Sequence, residues 1–301
     1  MHDSIYRGRF APSPTGPLHF GSLIAAVGSY LEARSHRGVW LVRMEDLDRP
    51  REAPGAADAI LRVLEAYGFE WDGEVEFQHH HIAAYAAAFE RLERQQALFP
   101  CACTRREIAD SALSIEGEAV YPGTCRGGLP PGCPVRAVRV RVNDAVIAFD
   151  DLLQGKFKQN LAREVGDFVV RRGDGIFAYQ LAVVVDDAEQ GVTDVVRGAD
   201  LLGSTARQIL LQRMLGLATP RYMHLPVALN TRGEKLSKQT LASPLVIADS
   251  TVQVWRALRF LGQEPPAGLA GAGQREIWTW ALANWRSDRI PRRCSLTEPE
   301  A

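Results

Sequence analysis

Residues 9–22 of the chain read RFAPSPTGPLHFGS, and this stretch guides the interpretation of the whole sequence. An apolar segment ending at Phe10 predicts a strand, the Pro/Gly-rich residues after it predict a sharp loop, and apolar residues at helical spacing over 21–34 predict a helix. The backbone N–H groups at the start of such a helix favour anions such as phosphates. His19 can donate a hydrogen bond to a phosphate oxygen, and Gly21 would let a base or a phosphate approach the backbone.

Strands and helices alternate on both sides of an irregular segment. Residues 38–44 predict a buried strand, and residues 56–67 and 82–98 predict helices. This β-α-β-α order predicts an α/β fold with a Rossmann-type doubly wound parallel sheet. Residues 100–160 are rich in Cys, Pro and Gly, with one alternating run over 136–142 that predicts an antiparallel strand. Regular elements are then predicted again: strands at 168–171 and 177–185, and helices at 201–215, 252–261 and 275–285.

The composition is that of an ordinary globular protein. The 301 residues carry 35 Lys+Arg against 36 Asp+Glu, and 46% are hydrophobic, which excludes disorder and a strongly basic nucleic-acid binder. No spanning segment and no signal peptide are recognisable, so we expect a cytoplasmic protein with no membrane partner. The five cysteines are an odd number, which favours metal ligands or inert thiols over disulfides.

Residues 235–239 read KLSKQ and contain Lys235 and Lys238, two of the four lysines in the chain. The lysine ammonium is a mobile point charge suited to a transferring phosphate. By itself the pattern is also typical of a solvated surface loop. Its position after a sheet whose first turn carries residues 9–22 favours phosphate chemistry.

Taken together, these segments resemble the class I aminoacyl-tRNA synthetases of the glutamyl type. RFAPSPTGPLHFGS is similar to that family's first signature, usually ending His-Ile-Gly-His, and KLSKQ is similar to its second, usually Lys-Met-Ser-Lys-Ser. RMEDLD at 43–48, FAYQLA at 177–182 and VVRGAD at 195–200 are similar to the segments between them. The resemblance covers residues 7–240 in order, and it is strongest to the short paralogues, the glutamyl-queuosine tRNA(Asp) synthetases.

The resemblance implies an enzyme that activates L-glutamate with ATP and Mg²⁺ and attaches it to the queuosine base in the anticodon of tRNA(Asp). We expect a monomer with four parts: residues 1–98 and 167–239 form the two halves of the catalytic domain, residues 99–166 a zinc-bearing insertion, and residues 240–301 a short helical region with no anticodon-binding domain. Two alternatives remain open: a truncated glutamyl-tRNA synthetase that charges an acceptor end, and a non-catalytic protein that binds glutamate or adenylate.

The resemblance also implies site residues. A glutamate pocket needs cations for two carboxylates and an anion for the ammonium. By resemblance, its residues are Arg9, Ala11, Ser13, Glu45, Tyr179 and Arg197. We expect Glu45 to bind the ammonium and Arg9 the side-chain carboxylate, although the sequence leaves open which arginine binds which carboxylate. The residues expected to bind ATP are His19, Gly21, Ser22 and Lys238, and those expected to be catalytic are His19, Lys235 and Lys238. Ser22 stands where the family usually has a second histidine, and serine brings no positive charge.

Cysteines in the insertion predict a structural Zn²⁺ site. Cys101 and Cys103 are two residues apart and Cys125 follows, and such sites usually have four ligands. By resemblance Tyr121 is the fourth ligand, with Cys133 and the histidines of 79–81 as alternatives. Cys294 is expected to be an inert thiol. Arginines of the insertion could contact tRNA phosphates or form a solvated face; they are Arg105, Arg106, Arg126, Arg136, Arg139 and Arg141.

Overall fold

The computed structural model describes residues 5–109, 120–144, 146–230, 232–236 and 243–298. Its strands are β1 Arg7–Phe10, β2 Val39–Met44, β3 Glu76–Phe77, β4 Leu98–Cys101, β5 Ala137–Val140, β6 Val146–Asp151, β7 Gly155–Asn160, β8 Val169–Arg172, β9 Asp194–Gly198, β10 Arg221–Leu225, β11 Val227–Leu229 and β12 Ser295–Thr297. Its helices are α1 Phe20–Ser35, α2 Ala56–Ala66, α3 Ile82–Arg94, α4 Arg105–Ala109, α5 Leu161–Glu164, α6 Tyr179–Glu189, α7 Leu202–Met214, α8 Ser250–Phe260 and α9 Gln274–Asn284.

Parallel strands form the centre of the molecule. Strands β1, β2 and β3 pair in that order, and β9, β10 and β6 form a second parallel set with β7 antiparallel at its edge. Strand β1 lies beside β9, where the Thr193 amide donates to the Arg7 carbonyl, so the two sets continue one another. The predicted Rossmann-type sheet is confirmed. In such sheets ligands bind at the carboxyl ends of the strands where the strand order reverses, which here is between β1 and β9.

Helix α1 lies against this sheet and is buried along most of its length. Tyr30 packs edge-on against Trp40 of β2 and against Trp278 of α9, with ring centroids 5.1 Å apart in each case. A Cβ atom at Gly28 would lie only 2.4 Å from Leu225 Cδ1, so any larger residue there would displace the buried Leu225 side chain that packs α1 against β10. This packing fixes the start of α1 beside the carboxyl ends of the strands.

A small antiparallel sheet in the order β4-β5-β8 includes β5 of the insertion and β8, which follows residue 166. Strand β5 confirms the antiparallel strand predicted over 136–142. The strand predicted at 168–171 is present as β8, but it pairs with β5 and not with the parallel sheet of the catalytic domain, in whose second half residues 167–239 were placed. In this strand, VVRR, only Val170 is buried and the other three residues are partly exposed, which suits an antiparallel sheet with one solvated face. Strands of a parallel sheet are buried on both faces.

The segment 177–185 forms a helix, and the prediction of a central strand there was wrong. Helix α6 begins at Tyr179, and its apolar residues over 181–185 are all buried. A continuous apolar run fits a buried helix as well as a buried strand, so periodicity alone cannot separate the two. Tyr179 therefore lies in the first turn of a helix, and Asp186 and Asp187 lie farther along it in the protein interior.

The predicted C-terminal helices are confirmed as α8 and α9. The Trp285 indole after α9 donates to Glu32 Oε2 of α1 at 2.7 Å, and the Trp278 indole donates to the Tyr67 carbonyl at 2.8 Å. Farther along, β12 pairs in parallel with β11. In the part of the chain that the structure describes, every helix is too short or too polar to cross a membrane.

Candidate active site

A cavity of about 410 Å³ opens at the carboxyl ends of β1, β2, β9 and β10, beside the start of α1. It brings together ten of the residues predicted from the sequence, which are Arg9, Ala11, Ser13, His19, Gly21, Ser22, Glu45, Tyr179, Arg197 and Lys235. Lys238 lies outside the described residues. Segments far apart in the sequence thus converge on one site.

Helix α1 begins at this cavity with His19 as its N-cap. The His19 backbone is extended, its carbonyl accepts from the Leu23 amide at 3.0 Å, and its Nδ1 accepts from the Ser22 amide at 3.3 Å. Since Nδ1 accepts, the proton of a neutral ring lies on Nε2, which is then a donor. The cap satisfies one amide of the first turn, a role the sequence did not predict.

Gly21 lies between the His19 ring and the segment that carries the second signature. A Cβ atom at Gly21 would be 3.1 Å from His19 Cε1 and 3.2 Å from the Leu236 carbonyl oxygen. A larger residue there would therefore push the imidazole and the Leu236 backbone apart. The glycine allows residues 19–21 and 235–236 to line the same cavity.

Lys235 reaches the cavity from the other side. Its Nζ donates to Asp200 Oδ2 at 2.6 Å, and its backbone forms a bridge with Leu229 of β11. Both side chains of the ion pair are partly exposed, and such pairs contribute little to stability. A phosphate group can therefore replace Asp200 as the partner of the Lys235 ammonium at a small cost in free energy.

Arg9 and Arg43 are buried and share one carboxylate. Arg9 donates through Nε and Nη2 to the two oxygens of Asp187, at 3.1 and 3.3 Å, and Arg43 Nη1 donates to Asp187 Oδ1 at 2.8 Å. Burial acts to raise the pKa of Asp187, but the two guanidinium groups outweigh it and lower that pKa below the usual value. The carboxylate of Asp187 thus stays ionised and fixes Arg9 at the cavity wall.

Glu45 is one of two carboxylates among the residues that line the cavity; the other is Asp200, which is paired with Lys235. Its side chain is almost buried, and its Oε1 accepts from Arg43 Nη2 at 3.4 Å. Burial raises the pKa of Glu45, although Arg43 and Arg9 act in the opposite direction. A raised pKa means that the anion is poorly solvated, so a cationic ligand would stabilise it.

Arg197 is held by neutral acceptors. Its Nε donates to His224 Nε2 at 3.1 Å, its Nη1 to the Tyr179 hydroxyl at 3.4 Å, and its Nη2 to Thr205 Oγ1 at 2.9 Å. Behind it, His224 Nδ1 lies 2.6 Å from Asp151 Oδ2, and both of these side chains are fully buried. The positive charge of Arg197 therefore meets no carboxylate among these contacts.

The sequence did not identify four residues that order this site, namely Arg43, Asp187, Asp151 and His224. One signal was present for Asp187. It follows Asp186 directly after an apolar run, and carboxylates buried in such a run require cationic or donor partners. The contacts of His224 join strands β6, β9 and β10, and no local pattern reveals a pairing of that kind.

The three cysteines predicted to bind metal come together in the insertion. Their sulfur atoms lie within 4.8 Å of one another, with Cys103 and Cys125 3.6 Å apart. The Tyr121 hydroxyl oxygen is 3.5 Å from Cys101 Sγ. A tetrahedral Zn²⁺ with Zn–S near 2.3 Å and Zn–O near 2.0 Å has S···S edges of about 3.8 Å and S···O edges of about 3.5 Å. This donor set therefore fits zinc in kind and in spacing.

Nearby groups favour the thiolate form of Cys101. Burial acts to raise the pKa of this thiol, but hydrogen bonds with Tyr121 and Arg139 outweigh it and lower the pKa to about 7. Arg139 is buried, with its guanidinium 4.0 Å from the Tyr121 ring centroid, so it packs against this cluster and the suggestion that it contacts tRNA was wrong.

The alternative fourth ligands have other surroundings. His79 is bonded to Asp46, and His81 lies 2.9 Å from Asp186 and 3.1 Å from Glu76. Cys133 is exposed. Within the described ranges, Cys101, Cys103 and Cys125 are the one group of three or more Cys, His, Asp or Glu side chains spaced for a metal. His81 instead shares the Asp186 carboxylate with Arg43, whose Nε lies 3.6 Å from Asp186 Oδ2.

Comparison with known proteins identifies the family. Residues 6–121 and 132–262 match the family model described as tRNA synthetases class I (E and Q), catalytic domain. This chain belongs to that family. The family predicted from the sequence motifs is confirmed.

Two relatives in this family match nearly the whole chain. A protein of Aromatoleum aromaticum named Glutamyl-Q tRNA(Asp) synthetase is 60% identical, over 98% of this chain and 94% of its own length. A protein of the same name from Dechloromonas aromatica is 59% identical, over 99% of both chains. A crystal structure of a glutamate tRNA ligase from Elizabethkingia meningosepticum superimposes with a TM-score of 0.79 at 24% identity, covering 98% of this chain and 67% of that one. That likeness concerns the fold.

Proposed function

We propose that the protein activates L-glutamate with ATP and transfers it to the queuosine base in the anticodon of tRNA(Asp). The observation that carries this proposal is the cavity lined by Arg9, Arg197 and Glu45, next to the start of α1. Two carboxylates and one ammonium are the charges of glutamate, and this cavity offers both signs. The names of the relatives from Aromatoleum and Dechloromonas support the same activity.

Glutamate would bind with its ammonium at Glu45, whose poorly solvated carboxylate gains from a cation. Arg9 and Arg197 would bind the carboxylates, with Tyr179 orienting Arg197. Ala11 and Ser13 line the same cavity. Because Arg9 is already paired with Asp187 and Arg197 is held by neutral acceptors, Arg197 contributes more positive charge to the bound substrate.

ATP would lie along the start of α1, over Gly21 and Ser22. An oxygen of the glutamate α-carboxylate attacks the α-phosphorus of ATP, the bond to the β-phosphate oxygen breaks, and pyrophosphate leaves. Positioning and electrostatic stabilisation are the contribution that such a step needs. His19 through its Nε2–H, the N-terminus of α1, Lys235 and Lys238 would supply them, and Mg²⁺ accompanies the nucleotide.

Transfer uses a hydroxyl of the cyclopentene ring of queuosine. This oxygen attacks the carbonyl carbon of glutamyl-adenylate, AMP leaves, and an ester remains. The cis-diol of that ring is similar to the ribose end used by ordinary synthetases, so one cavity can serve the transfer. Because ATP, glutamate and tRNA share the cytoplasm, we infer that the reaction takes place there. We also propose that the active form is a monomer.

We also propose that Cys101, Cys103, Tyr121 and Cys125 hold one structural Zn²⁺. The ion would tie β4 to residues 121–125 and so stabilise an insertion in which these residues form only a small core. We further propose that the chain is divided into four parts, with boundaries near residues 98, 166 and 239.

One experiment separates the proposed activity from its alternatives. The pure protein is incubated with ATP and labelled glutamate, and then with tRNA(Asp) containing queuosine, the same tRNA without queuosine, or tRNA(Glu). We expect label on queuosine-containing tRNA(Asp) alone. Label on tRNA(Glu) would contradict the proposal in favour of a truncated glutamyl-tRNA synthetase, and failure to form adenylate would favour a binding protein.

A further inference from the structure

A buried chain of three side chains from three different strands ends at Arg197. Asp151 of β6 contacts His224 of β10, and His224 contacts Arg197 of β9. Asp151 and His224 are fully buried, and the sequence analysis singled out neither of them. The two residues lie behind the cavity, where they cannot touch a ligand.

The hydrogen bonds define the tautomer of His224. The Arg197 guanidinium has only donors, so the Nε–H of Arg197 requires a lone pair on His224 Nε2, 3.1 Å away. The proton of the neutral ring is then on Nδ1, which donates to Asp151 Oδ2 at 2.6 Å. The partner of one ring nitrogen thereby fixes the state of the other.

Burial of His224 favours its neutral form, against the net effect of the charged groups around it. Burial lowers the pKa of His224 and so does Arg197, while Asp151 and Asp200 act to raise it, and the net direction is downward. At neutral pH the imidazole is thus an uncharged acceptor. A protonated ring would present an N–H to Arg197 and lose that hydrogen bond.

We propose that Asp151 and His224 are a positioning pair that holds the Arg197 guanidinium at the cavity wall by keeping the His224 imidazole in its Nδ1–H tautomer. This inference rests on the proposed function, in which Arg197 binds a carboxylate of glutamate. Neither residue of the pair is catalytic. Their effect reaches the substrate only through the direction in which Arg197 points.

The variant Asp151→Asn tests this tautomer control with almost no change of shape. Asp151 Oδ1 accepts three backbone amides, from Leu153 at 3.0 Å, Gln154 at 2.8 Å and His224 at 3.2 Å. In the variant these amides require the carbonyl oxygen of the asparagine, so its NH₂ faces His224 Nδ1. The ring must then carry its proton on Nε2, opposite the Arg197 Nε–H.

We expect Asp151→Asn to raise the glutamate KM in ATP–pyrophosphate exchange by about tenfold or more, the effect of losing a hydrogen bond to a charged group. The ATP KM should change by less than about threefold. Asp194→Asn is the matched control. Asp194, like Asp151, is a buried aspartate, but its partner is Arg221 and it lies at the end of β9 opposite to Arg197. That control should leave the glutamate KM unchanged.

A double-mutant cycle separates positioning from a general structural effect. The His224→Ala background has no imidazole through which Asp151 can act on Arg197, so Asp151→Asn should raise the glutamate KM by less than about threefold there. Equal effects of Asp151→Asn in both backgrounds would overturn the proposal.

The ring proton can also be observed directly. Long-range proton–nitrogen spectra of protein labelled with ¹⁵N-histidine should show the His224 proton on Nδ1, moving to Nε2 in Asp151→Asn. A wild-type ring protonated on Nε2 would refute the pair. This measurement needs no substrate, so it distinguishes failure of the positioning pair from failure of the proposed activity, which would appear as wild-type protein that activates no glutamate.

Discussion

Replacing Asp187 by asparagine removes the charge that two buried arginines share. Arg9 and Arg43 each donate to this carboxylate, and the exposed fractions of the Arg9 and Asp187 side chains are 4% and 9%. Removing one partner of a buried ion pair typically costs about 3–5 kcal/mol, because the remaining charge is left without compensation. We expect Asp187→Asn to lower the free energy of unfolding by this amount.

The chain itself offers a matched control. Arg286 binds Asp288 through the same two-pronged contact, Nε to Oδ1 at 3.1 Å and Nη2 to Oδ2 at 3.0 Å, but both side chains are more than half exposed. For a chain of 301 residues the entropy of unfolding is about 0.6 kcal/mol/K, so a loss of 3–5 kcal/mol corresponds to a fall in Tm of about 5–8 °C.

Differential scanning calorimetry of the wild type, Asp187→Asn and Asp288→Asn measures this contrast. Asp187→Asn should unfold about 5–8 °C lower than the wild type, and Asp288→Asn should unfold at the wild-type temperature. The Arg9–Asp187 and Arg286–Asp288 contacts have the same geometry, so the two sites differ in burial and in the second arginine, Arg43, that also binds Asp187. Equal Tm values for the two variants would refute the argument that burial makes the loss of the Asp187 charge destabilising.

Three further predictions concern the nucleotide, the metal and pH. Gly21→Ala should slow ATP–pyrophosphate exchange about ten- to a hundredfold with unchanged circular dichroism, because the new methyl group displaces the His19 ring by a few tenths of an ångström. After dialysis against a chelator, elemental analysis should find one zinc per chain in the wild type and in the control Cys133→Ser, and less zinc in Tyr121→Phe. Equal zinc contents in all three proteins would show that Tyr121 is not a ligand. Stability should fall as pH drops below about 6.5, because the unfolded chain then binds a proton on His224 that the folded protein, in which the pKa of His224 is lowered, takes up only at a lower pH. The glutamate KM should rise only at that lower pH, where protonation removes the acceptor for Arg197, and a KM that rises already between about pH 8 and 6.5 would contradict this.

The sequence predicted the elements whose pattern is local. Helix α1 and strand β2 appear within two residues of their predicted bounds, because caps, glycines and periodicity act over a few residues. Residues 177–185 were placed in a strand because an apolar run that is buried on all sides carries no period. Only the packing of the finished molecule decides that it forms α6.

The residues of the site were likewise predictable only where the pattern is local. Motifs that each lie within one segment, such as residues 9–22, predicted which side chains line the cavity. The contacts that orient them could not be predicted, since Arg9 meets Asp187 across 178 positions and His224 meets Asp151 across 73. Such pairings depend on strand order, and a single sequence does not contain strand order explicitly.

The pairing of β11 with β12 has a consequence for how the chain is made. Val227 and Ala228 of β11 line the cavity, and the parallel partner of this strand begins at Ser295, 66 residues after Leu229. At 5–20 residues per second a ribosome needs about 3–13 s to add them. Throughout that interval one wall of the cavity is an unpaired strand edge on a growing polypeptide. During this period the edge of β11 that will pair with β12 is open to chaperones. A chain that terminates before Ser295 never completes this wall of the cavity.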